Sequence, residues 1–159
     1  VNDIFTIDFP QNITQVHFIK LRLFDTKGKE VANTFYWRSN DKYEGRKTLT
    51  GPTSSGFEDL SKLKQVQLKT RYQTYQEGDR HFIKAEIKNP SSTVAFFTQL
   101  QLLGQDKKPV HPSFYTDNFF SLLPGESKTV IIETAASDMP SEPTFVVKGW
   151  NIKPSSFKL

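Results

Sequence analysis

The sequence predicts an all-β chain of short antiparallel strands, and three observations carry that expectation. Apolar and polar residues alternate with period two in run after run, while no 3.6-residue period persists over ten residues. Turn-forming Gly, Pro, Asn and Asp recur at short spacing between those runs. Hydrophobic residues make up only 36% of the chain but aromatics reach 13%, with 14 Phe, so a few large side chains must fill the interior.

Taken in order, residues 4–9 (IFTIDF) alternate and stop at Pro10, which reads as a strand with an end. Residues 16–24 (VHFIKLRLF) set Ile19, Leu21 and Leu23 on one face and Lys20 and Arg22 on the other. The loop at 25–29 carries Gly28 where a left-handed residue suits a hairpin. Residues 31–38 return with Phe35 and Trp37 on one face and Tyr36 on the other. The pattern then stops. Residues 39–56 are polar, hold Gly45, Gly51, Pro52 and Gly56, and read as a linker or boundary loop. Strands resume at 66–75 and at 81–88, with Ile83, Ala85 and Ile87 inward. At 95–103, Phe96, Thr98, Leu100 and Leu102 point inward. Residues 114–122 read as one strand. The Leu123-Pro124-Gly125-Glu126 corner suits a type II turn, with Pro presetting φ and Gly supplying a positive one. A strand follows with Val130, Ile132 and Thr134 on one face, and 144–151 is the last. About seven short strands in about 90 residues argue for an immunoglobulin-like sandwich. The expected organisation is an incomplete preceding sheet at 1–40, a linker at 41–59, the sandwich at 60–153 and a tail at 154–159.

The chain has 159 residues, no Cys and a net charge of +4, so a disulfide framework and a thiolate metal site are excluded. Basic residues are densest at 62–71 (KLKQVQLKTR), but they alternate with Leu63, Val66 and Leu68 as on a solvated strand face. No recognition helix or RNA-binding aromatic motif accompanies them, which argues against a nucleic-acid partner. No apolar run reaches the roughly 18 residues of a membrane-spanning helix. The start lacks Met and the pattern of a signal peptide, as expected of a processed or excised piece. Asn12-Ile13-Thr14 matches a glycosylation sequon, a pattern common by chance.

Tests for chemistry return no catalytic residue, cofactor site or metal site. The acids worth testing are Glu86, Asp117, Glu126 and Glu133, of which Glu86 and Glu133 fall on outward strand positions and Glu126 at a turn. His17, His81 and His111 fall on separate elements without a second His at ligand spacing. Phosphate-binding, dinucleotide and nucleophile-elbow motifs are missing. Oligosaccharide could stack on exposed rings, and the outward candidates are Tyr36, Tyr72, Tyr75 and Tyr115. Phe35, Trp37, Phe96, Phe97, Phe119, Phe120 and Trp150 read instead as core or interdomain packing.

Two separated blocks then point one way. The first is 16–38, ending in Asn33-Thr34-Phe35-Tyr36-Trp37. The second is 89–151, with Ala95-Phe96-Phe97, Asp117-Asn118-Phe119-Phe120, Leu122-Leu123-Pro124-Gly125-Glu126 and Gly149-Trp150-Asn151. Together they resemble the C-terminal immunoglobulin-like region of glycoside hydrolase family 2 enzymes of the β-mannosidase and exo-β-glucosaminidase type. The resemblance implies a non-catalytic accessory part, with the mannosidase type preferred, that supports a (β/α)8 barrel and other domains of a parent enzyme. It implies a secreted or periplasmic parent, since such substrates are extracellular glycans. The family's two catalytic glutamates belong to a barrel that this chain lacks. Residues 1–40 resemble the last strands of a sandwich cut midway. Such a remnant is expected to pack on the main sandwich or to self-associate through its open edges. The rival expectations are a carbohydrate-binding module and a non-enzymatic cell-surface domain.

Overall fold

A computed structural model describes residues 5–40 and 56–159. Among these there are ten strands, two short 3-10 turns and no α-helix, so no helix is long and apolar enough to cross a membrane. The chain divides into two compact units, residues 1–62 and 63–159.

In the first unit β1 (Val16–Phe24) and β2 (Glu30–Ser39) form an antiparallel hairpin, with Val16 opposite Ser39. Its turn is set by Asp25, whose Oδ1 accepts the N–H groups of Lys27 and Lys29, and by Gly28 at φ +77°. Phe18 and Phe35 bring their rings to 5.6 Å across the pair. The strand expected at 4–9 is not formed over the described residues 5–9, which are irregular and exposed. Alternation provides a face but no ladder, and Phe9 sets its ring edge-on to His17. The linker expected at 41–59 lies outside the described residues as far as residue 55. Its end is the 3-10 turn Glu58–Lys62.

The second unit is a sandwich of two four-stranded antiparallel sheets. One has the order β3 (Lys69–Glu77), β4 (Arg80–Lys88), β8 (Ser127–Ala135), β6 (Phe114–Tyr115). The other has the order β10 (Ile152–Lys158), β9 (Thr144–Gly149), β5 (Ala95–Leu103), β7 (Phe120–Leu122). Inward rows follow the alternation: Ile83 pairs with Ile132 and Ala85 with Val130 in one sheet, and Leu100 pairs with Val147 and Leu102 with Phe145 in the other. These rows form one buried cluster with Phe120, Leu122 and Ile152. Burying each such side chain stabilises by roughly 1.5–3 kcal/mol.

Two expected elements differ. The run 114–122 is two strands in opposite sheets, because Asn118 and a left-handed Phe119 break the ladder between them. Residues 154–159 are no tail: β10 pairs with β9 along the sheet edge, and Pro154 sits at the register shift between Ile152 and Ser155, where a missing N–H is tolerated. Gln67 to Ser155 at 2.9 Å and the Tyr72 hydroxyl to the Lys158 carbonyl at 2.7 Å fasten that edge strand.

An aromatic ridge as the candidate functional site

Three segments that sequence keeps apart meet at one end of the sandwich: Ala95-Phe96-Phe97, Asp117-Asn118-Phe119-Phe120 and Gly149-Trp150-Asn151. Asn151 joins two of them. Its buried amide accepts the Phe96 N–H at 2.9 Å and donates to the carbonyls of Lys64 at 2.9 Å and Val94 at 2.8 Å. The Trp150 N–H donates to the Phe96 carbonyl at 3.0 Å. A Cβ on Gly149 would lie 2.8 Å from the Phe97 carbonyl and 2.5 Å from Ile152 Cδ1, so this close approach requires glycine. Asn118 fastens the third segment. Its amide accepts from the Leu100 N–H at 2.8 Å and donates to the Leu100 carbonyl at 2.9 Å, as a neighbouring strand would.

These ties hold Phe97 at φ +56° and Phe119 at φ +57°. The left-handed region costs a bulky aromatic about 1–3 kcal/mol. The Phe97 N–H is met by Ser121 Oγ at 3.2 Å, and the Phe119 N–H by Asn118 Oδ1 at 3.1 Å. The register shift between Ala95 and Thr98 re-aims side chains, as bulges do. The outcome is a line of rings, Phe119–Phe97–Phe96–Trp150, with centroids 5.4, 5.7 and 6.5 Å apart and planes tilted by 48°, 49° and 66°. Phe96 is buried, whereas Phe97, Phe119 and Trp150 are 39%, 49% and 59% exposed. Asp117 is the one carboxylate within 95–100, 117–122 and 148–153, and it is paired with Lys128, whose ammonium also lies 5.2 Å from the Phe120 ring centre.

The acids tested in the sequence do not converge. Glu126 turns back on its own corner, its Oε2 accepting the Leu123 N–H at 2.9 Å beside Gly125 at φ +81°. Asn89, fully buried, braces that corner through bonds from the Gly125 N–H to its carbonyl and from its own N–H to the Glu126 carbonyl, both 2.9 Å. Glu133 accepts from Arg80 Nε at 2.8 Å. Glu86 lies opposite Thr129 on β8, four positions from Glu133, or about 13 Å along a strand. A retaining glycosidase needs its pair about 5 Å apart. Among the described residues no group of three or more His, Asp or Glu could hold a metal ion.

The four candidate tyrosines sit in different settings. Tyr72 is 39% exposed and sets its ring edge-on to Phe145 at 5.0 Å and to Phe157 at 5.7 Å. Tyr75 stacks on Phe82 across the pair at 5.0 Å and 11°, so each ring covers the other's face. Tyr115 packs against the core, and its oxygen accepts the Leu102 N–H from the opposite sheet at 2.9 Å. Burial raises its pKa above the usual 10.0, partly offset by the Leu102 N–H and the Ser113 hydroxyl. Tyr36 is exposed on the hairpin of the first unit. A cavity of about 460 Å3 lies at the far end of β5 and β9, lined by Leu103, Val146, Ser156, Lys107, Lys158 and Glu142 among others and by no aromatic ring. The doublets Phe96-Phe97 and Phe119-Phe120 are the sequence signal nearest to the ridge, since two adjacent bulky rings seldom both fit one core face.

Two antiparallel sheets packed over one aliphatic and aromatic core define an immunoglobulin-like sandwich domain. The chain belongs to the exo-β-D-glucosaminidase Ig-fold domain family, which it matches over residues 48–152. It is 30% identical over 149 residues to an exo-β-D-glucosaminidase of Streptomyces avermitilis, covering 87% of this chain and 16% of that protein. It is 27% identical over 157 residues to an exo-β-D-glucosaminidase of Amycolatopsis orientalis, covering 92% of this chain and 15% of that one. The chain thus spans about one sixth of these relatives. The crystal structure of the Amycolatopsis orientalis exo-chitosanase CsxA superposes with a TM-score of 0.81 at 22% identity, over 96% of this chain and 19% of that one, a likeness of fold. A complex of the same exo-chitosanase with PNP-β-D-glucosamine gives 0.82 over 98% of this chain and 19% of that one, at 22% identity. Of the two enzyme types that the sequence resembles, the match is to the glucosaminidase, and the preference for the mannosidase type is not supported.

Proposed function

We propose that this chain is a non-catalytic accessory part of a family 2 glycoside hydrolase of the exo-β-D-glucosaminidase type, where it buttresses a (β/α)8 barrel and neighbouring domains. The observation that carries the reading is how the polar members of the motif segments are used. Asn118, Asn151 and Glu126 spend their side chains on the backbone of their own sandwich, and the product of that effort is a set of outward rings. A parent enzyme acting on an extracellular amino-sugar polymer is secreted or periplasmic in this reading. Charge favours support over substrate capture: a chain of net charge +4 repels a protonated glucosamine polymer.

Titration calorimetry of the chain with chitosan and manno-oligosaccharides tests this directly. The expected result is no heat of binding. Affinity tighter than about 1 mM, near −4.1 kcal/mol, would transfer the function to a glycan-binding module and direct mutation to the exposed tyrosines Tyr36 and Tyr72.

A further inference from the structure

We infer that the outward face of the β3–β4–β8 sheet binds an anionic polysaccharide, one that carries carboxylate or sulfate groups. This goes beyond the supporting role and does not depend on it. Three observations support it. The first is placement. Leu68, Ile83, Ala85 and Ile87 are buried against the core, so Lys69, Arg71, Lys84 and Lys88 at the alternate positions point to solvent. The pairing of β3 with β4 puts Lys69 opposite Lys88, Arg71 opposite Glu86 and Gln73 opposite Lys84 on that one face. Four cations thus share two adjacent strands with one carboxylate, over about 13 Å of strand. The second is charge that the fold leaves unanswered. Like charges directly opposite each other in an antiparallel pair destabilise it, and Lys69 and Lys88 stand so. Among the described residues, the ion pairs of the sandwich use Arg80, Lys108 and Lys128 and none of these four cations. At the far end of the same face Arg80 is answered by Glu133 and lies opposite Glu77, so the excess is confined to the half that holds Lys69 and Lys88. An anion laid across that half relieves the repulsion.

The third is what lies between the charges. A depression of about 350 Å3 is lined by Arg71, Tyr72, Gln73, Lys84, Glu86 and Thr129. Cations and hydrogen-bonding groups stand there together, which suits a ligand that carries anionic groups and hydroxyls together. The centre of a protein interface is poor in charge, and this one is not. Nucleic-acid bases need open rings for stacking. On this face Tyr75 and Phe82 cover each other, and Phe114, at the far end, holds the Arg80 guanidinium 5.8 Å from its ring centre. The Tyr72 ring is set against Phe145 and Phe157. A hydroxylated polyanion is the ligand that fits.

Titration calorimetry of this chain at low salt tests the proposal with polygalacturonate and dextran sulfate, against neutral dextran, poly-L-glutamate and single-stranded DNA. Both anionic polysaccharides should bind, the tighter one identifying the preferred anion, and neutral dextran should not. Lys88→Glu should weaken that binding about tenfold. Lys107→Glu makes the same change of net charge on the loop after β5, in the other sheet, and should weaken it roughly twofold at most. Lys88→Glu should also leave the melting temperature unchanged or higher, because it places opposite charges across the β3–β4 pair, which separates lost binding from lost folding. No binding of either anionic polysaccharide, or equal losses from the two substitutions, would overturn the proposal. Tighter binding of poly-L-glutamate would overturn it in favour of an acidic protein surface, and tighter binding of DNA in favour of a nucleic acid.

Discussion

Asn151 closes the end of the sandwich with three hydrogen bonds from one buried amide. Asn151→Leu keeps the size but strands the Phe96 N–H and two carbonyls away from solvent. Leaving buried polar groups unmet costs about 1–3 kcal/mol for each. The expected loss is about 2–4 kcal/mol of unfolding free energy, read from the shift of a urea midpoint at unchanged slope. Tyr115 gives a pH signature. Its folded pKa is raised, so the folded state holds the phenolic proton more tightly than the unfolded state does. The contribution is complete below the unfolded value near 10.0 and is lost as pH rises through the folded one. Stability should therefore fall above pH 10.0, and Tyr115→Phe should flatten that fall while costing some stability at neutral pH, because the Leu102 N–H loses its acceptor. Thermal melts of both proteins from neutral to alkaline pH measure this; parallel slopes would contradict it. At this scale the corners were legible in the sequence. Gly28 and Gly125 take the positive φ that their turns need. The left-handed Phe97 and Phe119 were not, because phenylalanine favours extended backbone and the exceptions depend on Ser121 and Asn118 meeting their N–H groups.

The hairpin β1–β2 is the element least able to stand by itself. Two strands are marginal in water, and Leu23, Phe24 and Val31 are about half exposed or more. Residues 1–40 are expected to be protected either by packing or by pairing with a second copy. Light scattering together with limited proteolysis decides the matter: a dimer, or a monomer resistant in this segment, fits, and a monomer cut readily within 1–40 does not. If a dimer forms, Val31→Lys on β2 should shift it towards monomer. Among the elements, the alternating strands were readable because one face of each is buried: Ile83, Ala85 and Ile87 point inward as their spacing requires. β10 was not readable. It lies at a sheet edge, contains Pro154 and buries few side chains, so its place comes from tertiary bonds such as that between Gln67 and Ser155. The run 114–122 hid its break for a related reason: both halves are aromatic, and the switch between sheets depends on what Asn118 bonds.

For the whole molecule, the sandwich and the family were legible from the ordered motif blocks, and the 95–97, 117–120 and 149–151 segments of the second block converge at one end of the sandwich. The distinction between two enzyme types was not, because the motif blocks resemble both types alike. Where the ridge faces could not be read either, since strand alternation says that a ring is outward but not what meets it. In the proposed function the sandwich supports a larger catalytic body. Calorimetric unfolding of the full-length protein, intact and with residues 63–159 deleted, tests it most directly. Deletion should lower the melting temperature of the catalytic unit by several degrees, and the intact protein should melt with the sandwich coupled to it. An unchanged melting temperature and activity after deletion would contradict it.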